Sequence, residues 1–498
     1  MTQITAVSSG SEMPNWLSLS KSEWVIVIFN LCLAFLVVSA GRYYIDDMRR
    51  AIDGYAAWAA DSRPLASLIF FILSGGRHIA DSFPVPQILG AIALSATEIA
   101  FSRQYLPGAP WLGTVCALFI SGNPFLLQNL SYHFDSVFMC LSVGLAAAPF
   151  LTGAFGISLA GGAVAVAASL LTYQASISIF FMLCAAEIVF GLMSSDSAQN
   201  IIQRLVVRVG QIAFGALAFL LIKHAIASPD EYAAAHSALN FSGNWALVTA
   251  SNFDRFLDVI SQGTGGGLFW AMKFTGIVLG LSAMVAIITS GTGTARVIGA
   301  ILLLLAIPAL AIAPLCVLKS PVFMVRVLLS LGFIPALYGA FIFRGGVKLS
   351  GRIVVILGAI SLFYTIQITA IYAAAARSQA LYENDIANNL ADDIFSVSQD
   401  HPIKNYYFVS FIPIDKAAQS AEIALPLVGQ LVFPYFESWS DNPFLVMDHH
   451  DVTLPSGSGP KDPGIICKFD LLKRNRYYDL RYTSGTLVVD FGKTGACP

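Results

Sequence analysis

The stretch "WVIVIFNLCLAFLVVSAGRYYIDDMRRAIDGYAAW", residues 24–58, joins an apolar run to a dense group of charges. Residues 24–40 carry no charge and are almost long enough to cross a bilayer, which takes about 20 mostly apolar residues. The charges stand where a chain that leaves the bilayer first meets water, although charge at a membrane edge is normally sparse. The stretch therefore predicts a spanning helix that leads into a polar segment of special purpose.

The composition of the whole chain is that of a polytopic membrane protein. Hydrophobic residues make up 56% and charged residues 12% of it, whereas soluble proteins are roughly a quarter charged. A net charge of -2 gives no indication of a nucleic-acid partner. Residues 1–23 lack the basic start and the cleavage pattern of a signal peptide. We expect them to be a cytoplasmic tail.

Apolar runs predict an all-α transmembrane domain over residues 24–376, with about eleven spanning helices. The predicted spans are residues 24–40, 85–101, 111–127, 136–151, 154–172, 177–193, 211–227, 268–290, 297–317, 323–343 and 353–376.

The basic residues predict the orientation of these spans. With the amino terminus in the cytoplasm, the loops that carry Arg103, Arg204, Arg296 and Arg344 lie inside, as the positive-inside rule requires. Residues 41–84 contain five arginines but also five aspartates, so the later loops decide, and we place residues 41–84 outside. An odd number of spans then places the carboxyl terminus outside as well.

Residues 41–84 form the first outer loop in this prediction. A charged helix is expected near residues 46–61. The segment "PLASLIFFILSGG", residues 64–76, is apolar but too short to cross, which favours a helix in the membrane interface. A re-entrant or core helix is the alternative.

Residues 377–498 predict a small outer α+β domain. Residues 378–396 are typical of a helix, while "KNYYFVSFIPI" (404–414) and "TLVVDFG" (486–492) are rich in β-branched and aromatic residues and predict strands. Cys467 and Cys497 lie in polar sequence, and in an oxidising compartment they are expected to form a disulfide.

Asp46, Arg50, Gly54 and Trp58 recur at steps of four, which on a helix gives one slowly drifting face. One interpretation is a salt bridge on a solvated helix. The other is a general base at the membrane surface, with arginines that bind an anionic lipid-linked substrate. Spacing alone does not separate the two.

Further polar residues converge on the outer ends of the spans. They include Lys223, Lys273, Lys319, Arg326 and the segment "QNLSYHFD", residues 128–135. A cationic rim beside carboxylates suits a phosphate leaving group and a hydroxyl nucleophile. Each lysine separately is also explained by snorkelling to lipid headgroups. Glu98 and Glu187 lie toward the membrane interior or the cytoplasmic side and are expected to be structural.

Two kinds of site are disfavoured by the sequence. "MDHHD", residues 447–451, contains metal-ligand residue types, but a solvated loop explains it better. Phosphate-binding loops and nucleotide fingerprints are not apparent. We therefore predict no metal site and no cofactor, and leave the requirement for a divalent metal open.

Several segments resemble the type II Gtr O-antigen glucosyltransferases, polytopic glycosyltransferases of the GT-C kind. The similar segments occur in the family's order and end with a similar outer tail. They are "YYIDDMRRAIDGYAAW", "SRPLA", "DSFPVPQILGAI", "NPFLLQNLSYHFDSVFM", "LTYQASISIF", "SPVFMVRVLLSLG" and "RNRYYDLRYTSGTLVVDFGK".

The resemblance implies transfer of glucose from polyprenyl (undecaprenyl) phosphate glucose to lipid-linked O-antigen, on the periplasmic face of a bacterial inner membrane. This reaction underlies serotype conversion. The resemblance also implies that an aspartate of the first outer loop deprotonates the acceptor for an inverting displacement, with Asp46 as first choice and Asp47 as second. Substrate-binding candidates are Arg50, Arg63, Tyr132, Asp135, Lys273, Lys319 and Arg326. One departure is Ser62, because the family often has Gly before that arginine.

Two alternatives stay open on the sequence. A flippase or transporter of lipid-linked sugars is also polytopic, but it should carry polar residues near the bilayer midplane and in repeated halves. A related GT-C enzyme that transfers another sugar is the second alternative. The acceptor residue, the linkage and the oligomeric state are not predicted.

Overall fold

The computed structural model describes residues 18–226, 231–241, 243–346, 348–436 and 442–492. The described chain is mostly helical and ends in a small sheet. The helices are α1 (Lys21–Val38), α2 (Asp47–Asp53), α3 (Pro64–Ser74), α4 (Val85–Tyr105), α5 (Pro110–Leu118), α6 (Leu127–Ser131), α7 (Ser136–Leu151), α8 (Ala154–Ile157), α9 (Leu159–Thr172), α10 (Ile177–Met193), α11 (Ala198–Ile226), α12 (Glu231–Ser237), α13 (Trp245–Gly263), α14 (Trp270–Ile288), α15 (Thr294–Leu310), α16 (Ala313–Cys316), α17 (Phe333–Arg344), α18 (Lys348–Asp400), α19 (Lys416–Ala424), α20 (Leu427–Leu431), α21 (Asn442–His449) and α22 (Pro463–Ile466). The strands are β1 (Asn405–Val409), β2 (Asp470–Arg474), β3 (Asp479–Thr483) and β4 (Thr486–Asp490).

The apolar helices agree with most of the predicted spans. Within the described residues, six helices are long and apolar enough to cross a membrane, namely α1, α4, α10, α11, α14 and α18. The shorter apolar helices α7, α9, α15 and α17 coincide with further predicted spans. The chain is thus a membrane protein with several apolar helices, but the count of eleven is not confirmed. In the predicted span at residues 111–127, the nine-residue helix α5 ends at Leu118 and a short 3₁₀ turn follows at Pro124–Leu126. The helix α13 was not predicted.

A buried carboxylate explains why the chain does not continue as a helix after α5. Glu98 is fully buried and accepts hydrogen bonds from the Ser121 backbone N–H at 2.8 Å and from Asn30 Nδ2 at 2.6 Å. A backbone N–H freed inside a membrane needs such an acceptor. Glu187 is likewise engaged, because Arg208 donates to its two oxygens at 2.8 and 2.9 Å. Both glutamates therefore have the structural contacts that were expected.

The loop at residues 41–84 contains both predicted helices, but the charged one is shorter than predicted. The helix α2 ends at Asp53 because Gly54 adopts φ +63°, a left-handed conformation that favours glycine. A Cβ atom at Gly54 would also lie 2.0 Å from the His78 ring. A short 3₁₀ turn at Ala57–Ala59 follows, and α3 begins at Pro64. Trp58 therefore lies on a separate turn and not on the helix face predicted from the steps of four.

The last apolar helix extends beyond the predicted membrane region. The helix α18 has 53 residues and at 1.5 Å per residue is about 80 Å long. It includes the predicted helix at residues 378–396, which is not a separate element. The domain boundary predicted at residue 376 therefore falls inside one continuous helix.

The C-terminal sheet confirms the predicted α+β character. Its strand order is β1-β4-β3-β2, with β1 parallel to β4 and the other neighbours antiparallel. Of these strands, β1 and β4 fall in the two predicted strand segments, whereas the hairpin of β2 and β3 was not predicted. Met48 of α2 packs in the same hydrophobic core as Ile386, Tyr406 and Leu480. This domain thus rests directly on the loop at residues 41–84.

Candidate active site

Asp46 lies at the start of α2, and its side chain is exposed. The preceding residue, Ile45, has φ +45°, which a β-branched residue rarely adopts. Such strain persists only where surrounding contacts determine the conformation, and it often occurs at functional sites. The Asp46 carboxylate makes no hydrogen bond or ion pair with any residue that the structure describes. Its acceptor positions are therefore available to a ligand.

Asp47 is in the opposite environment, since none of its surface is exposed. Its Oδ2 accepts hydrogen bonds from the backbone N–H of Tyr44 at 3.0 Å and of His133 at 2.8 Å. Oδ1 accepts from the Phe134 N–H at 3.4 Å. Burial raises the pKa of Asp47 to about 7, against the opposing effects of His133. This carboxylate fastens the loop before α7 to the start of α2.

A buried cluster of arginines and aspartates lies beside this pair. Asp135 is 2% exposed and accepts hydrogen bonds through Oδ1 from Trp58 Nε1 at 2.8 Å and from Arg63 Nη1 at 3.0 Å. Arg63 also donates from Nη2 to Asp61 at 3.0 Å. Arg50 lies 3.7 Å from both Asp135 Oδ2 and Asp61 Oδ2. We call Arg50, Asp61, Arg63 and Asp135 the charged cluster.

Arg50 is the least satisfied member of the charged cluster. Its guanidinium stacks over the Trp58 ring at 4.3 Å, yet its Nε and Nη1 are buried without a hydrogen bond, as is Asp135 Oδ2. Burial acts to lower the pKa of Arg50, but the carboxylates of Asp135 and Asp46 outweigh it and raise that pKa. Orphaned buried donors beside an orphaned acceptor are typical of a site that awaits a polar ligand.

The pKa of Asp61 is raised by burial, although Arg63 and Arg50 act to lower it. The effect of burial on Asp61 thus exceeds that of two nearby cations, although its side chain is still 26% exposed. Arg50 and Asp135, whose side chains are each 3% exposed, are the members of the charged cluster most removed from water.

Arg326 belongs to a second polar group on the loop between α16 and α17. Its backbone N–H donates to Gln128 Oε1 at 2.6 Å, and its guanidinium donates to the Tyr132 hydroxyl. Its carbonyl accepts from Asn129 Nδ2 at 3.1 Å. The Tyr132 ring lies 4.9 Å from the ring of Tyr44, two residues before Asp46. The segment at residues 128–135 therefore links Arg326 to Asp46, and ends at Asp135 of the charged cluster.

Comparison with known proteins decides the family. The sequence pattern of the family described as "Glucosyl transferase GtrII" matches residues 33–337, which is more than half of the chain. The chain belongs to the GtrII family. It is also 28% identical over 188 residues to a Salmonella phage P22 protein described as "Uncharacterized 55.3 kDa protein in gtrB 5'region". That match covers 37% of this chain and 39% of the phage protein. No solved structure matches.

The GtrII match includes Asp46, the charged cluster and Arg326, but ends before α18. Of the predicted site residues, the structure brings together Asp46, Asp47, Arg50, Arg63, Tyr132, Asp135 and Arg326. Lys273 and Lys319 are exposed, and their ammonium groups make no ion pair or hydrogen bond within the described ranges. The Lys319 backbone instead pairs with Ala238.

Sequence reasoning missed two members of the candidate site, Asp61 and Trp58. Trp58 was noted only for its spacing, and Asp61 only as a counter-charge in the loop. Asp61 stands next to the "SRPLA" segment, which was the available signal. Their partners are distant in sequence, since Trp58 and Asp135 are 77 residues apart.

Ser62 stands where the resemblance leads us to expect glycine. It has φ +63° and is buried, and its hydroxyl has no hydrogen-bond partner. A glycine would adopt this conformation without strain. Arg63 nevertheless reaches Asp61 and Asp135, so the departure does not remove it from the charged cluster.

Two predictions concern metals and cysteines. Within the described part of the chain, no three His, Cys, Asp or Glu side chains are grouped to hold a metal ion. The metal and cofactor predictions stay untested. The predicted Cys467–Cys497 disulfide involves residue 497, which lies outside the described residues.

Proposed function

We propose that this GtrII glycosyltransferase moves glucose from polyprenyl phosphate glucose to lipid-linked O-antigen, with inversion at the anomeric carbon. The reaction takes place on the periplasmic face of a bacterial inner membrane. The acceptor hydroxyl gives its proton to Asp46, and its oxygen forms the new bond to the anomeric carbon. The bond from that carbon to the phosphate oxygen breaks, and polyprenyl phosphate leaves with the electron pair.

The observation that carries the proposal is the contrast between the two adjacent aspartates. A general base must reach the proton that it removes. Asp46 is exposed and has its oxygens available, whereas Asp47 is buried and accepts three backbone N–H groups. Asp46 is therefore the base in this proposal, and Asp47 holds the loop that carries residues 132–135.

The charged cluster and Arg326 supply the binding chemistry. Among the described residues, Arg50 has two buried nitrogens and Asp135 one buried oxygen without a hydrogen bond, so a sugar with adjacent hydroxyls can satisfy both. Arg326 carries a guanidinium beside Tyr132, and guanidinium groups pair well with phosphate oxygens. In this proposal Arg326 stabilises the charge on the leaving phosphate.

A transfer assay in membranes tests the proposal. The assay uses labelled polyprenyl phosphate glucose and an O-antigen acceptor, and compares the wild type with Asp46→Asn. Loss of a general base lowers the rate by about 10²- to 10⁴-fold. Asp53→Asn is the matched control, because Asp53 is a carboxylate of the same helix, is 49% exposed and, among the described residues, pairs with Arg49 at 3.5 Å. We expect the control to keep wild-type activity.

An Asp46→Asn rate equal to the wild-type rate would refute the base assignment. Transfer from another polyprenyl phosphate sugar, with no transfer from polyprenyl phosphate glucose, would show that the donor carries a sugar other than glucose. Movement of the donor between leaflets without transfer to any acceptor would favour a transporter instead.

A further inference from the structure

Arg42 and Glu383 form a buried ion pair between the first outer loop and α18. Arg42 Nη2 lies 2.9 Å from Glu383 Oε2, and the two side chains are 4% and 1% exposed. Arg42 also donates to the Phe433 carbonyl and lies 4.0 Å over the Tyr435 ring. The pair therefore joins a residue just before Asp46 to the C-terminal part of the chain, 341 positions away.

Tyr435 adds two hydrogen bonds to the same junction. Its backbone N–H donates to Glu383 Oε1 at 2.5 Å, and its hydroxyl donates to the Tyr43 carbonyl at 2.6 Å. Arg42 is thus held by its side chain, and Tyr43 is held by its backbone carbonyl. We call Arg42, Glu383 and Tyr435 the clamp.

Stability alone is a poor explanation for the clamp. A buried ion pair loses much of its attraction to the cost of removing both charges from water. The clamp instead acts on Arg42 and Tyr43, three and two residues before the strained residue Ile45, which has φ +45°. Strain of this kind is held by surrounding contacts. On the amino-terminal side of Ile45 these contacts are the Tyr44 N–H bond to Asp47 Oδ2 and, before it, the contacts of Arg42 and Tyr43.

The packing of α2 gives the C-terminal domain a second hold on the same segment. Met48 is buried in the core of that domain, and Ile52 packs against it. Asp46 and Arg50 lie one turn apart on the opposite side of the helix from Met48 and Ile52. One side of α2 is thus fixed to the C-terminal domain while the other faces the charged cluster.

We propose that Glu383 and Tyr435 are positioning residues that hold the strained turn at Ile45 and so aim Asp46 at the acceptor. The assignment rests on the proposed function for its catalytic consequence. It predicts that weakening the clamp loosens residues 43–54 and slows transfer without weakening donor binding.

Hydrogen exchange on the purified full-length protein tests the first consequence without any reaction. Glu383→Gln removes the charge opposite Arg42, and Tyr435→Phe removes only the hydroxyl that donates to Tyr43. We expect amides in residues 43–54 to exchange at least about ten-fold faster in Glu383→Gln, with a smaller increase in Tyr435→Phe. Asp385→Asn is the matched control, since Asp385 is on α18 but is 57% exposed and pairs with Arg476 at 3.4 Å. This control should leave exchange unchanged.

The transfer assay tests the second consequence. A displacement of about 1 Å can reduce a rate by about 10²-fold, so we expect kcat of Glu383→Gln to fall about ten-fold or more, with the donor KM within about two-fold. Unchanged exchange in both clamp variants would overturn the inference. If Glu383→Gln exchanges rapidly throughout the chain, it has unfolded, and Tyr435→Phe decides. Absence of transfer in the wild type would contradict the proposed function, while the exchange result would still decide on the clamp.

Discussion

Replacing Asp135 with Asn tests whether the charged cluster depends on charge. The amide keeps an oxygen that can accept from Trp58 and Arg63, but it removes a buried negative charge that lies 3.7 Å from Arg50 and 3.0 Å from Arg63. Breaking a buried ion pair on one side costs about 3–5 kcal/mol, because it leaves an uncompensated charge. The retained oxygen offsets about 1 kcal/mol for each neutral hydrogen bond. With two such bonds retained, we expect Asp135→Asn to lower the free energy of unfolding by about 2 kcal/mol.

Asp61→Asn is the control for this experiment. Asp61 pairs with the same two arginines at 3.0 and 3.7 Å, but its side chain is 26% exposed, so water compensates part of the loss. We expect a decrease of about 1 kcal/mol. Unfolding of the detergent-purified variants gives the two free energies. The donor KM, measured in parallel, shows whether the altered charged cluster still binds the donor. An Asp135→Asn protein as stable as Asp61→Asn would refute the role assigned to the buried charge.

Two further predictions concern residues that flank the cluster. Ser62→Gly removes a positive-φ strain and a buried hydroxyl without a partner, so we expect about 1 kcal/mol of added stability, and a less stable protein would contradict the strain argument. Asp47 has a pKa raised by burial to about 7 from 3.8, so the folded protein holds this proton more tightly than the unfolded chain. The stability that Asp47 contributes is therefore full below about pH 4 and is lost as the pH rises to about 7. Because Asn does not titrate, the wild type should lose a few kcal/mol of unfolding free energy relative to Asp47→Asn over that interval. A difference that stays constant would contradict the raised pKa.

Hydropathy predicted the positions of most apolar helices because the membrane demands long uncharged runs. The helix interruptions were less predictable, because their cause is distant in sequence. Glu98, for example, supports the turn at Ser121 and reaches Asn30, 68 residues earlier. No local sequence pattern in residues 111–127 indicates that Glu98 accepts a hydrogen bond from Ser121. The C-terminal strands β1 and β4 were predictable from their β-branched and aromatic residues, whereas the polar hairpin of β2 and β3 was not.

The candidate site was predictable in its residue types but not in its pairing. Steps of four suggested that Asp46 and Arg50 pair along a helix, yet Arg50 lies against Asp61 and Asp135, and the i,i+4 surface pair is Arg49 with Asp53. On the sequence alone, Asp46 and Asp47 were nearly equivalent candidates for the general base. Burial separates them, and burial depends on the loop at residues 132–134, which local spacing does not place.

The energetics of the charged cluster favour a role in binding over a role in stability. Two arginines and two aspartates must lose most of their hydration, and apolar side chains of similar volume would stabilise such a region at least as well. Arg50 Nε, Arg50 Nη1 and Asp135 Oδ2 are also buried without hydrogen bonds, and each unsatisfied group costs about 1–3 kcal/mol. A bound sugar that supplies hydroxyl donors and acceptors would remove these costs together. In the proposed function, the free energy released on satisfying them is available to hold the sugar beside Asp46, in the geometry that the clamp is proposed to maintain.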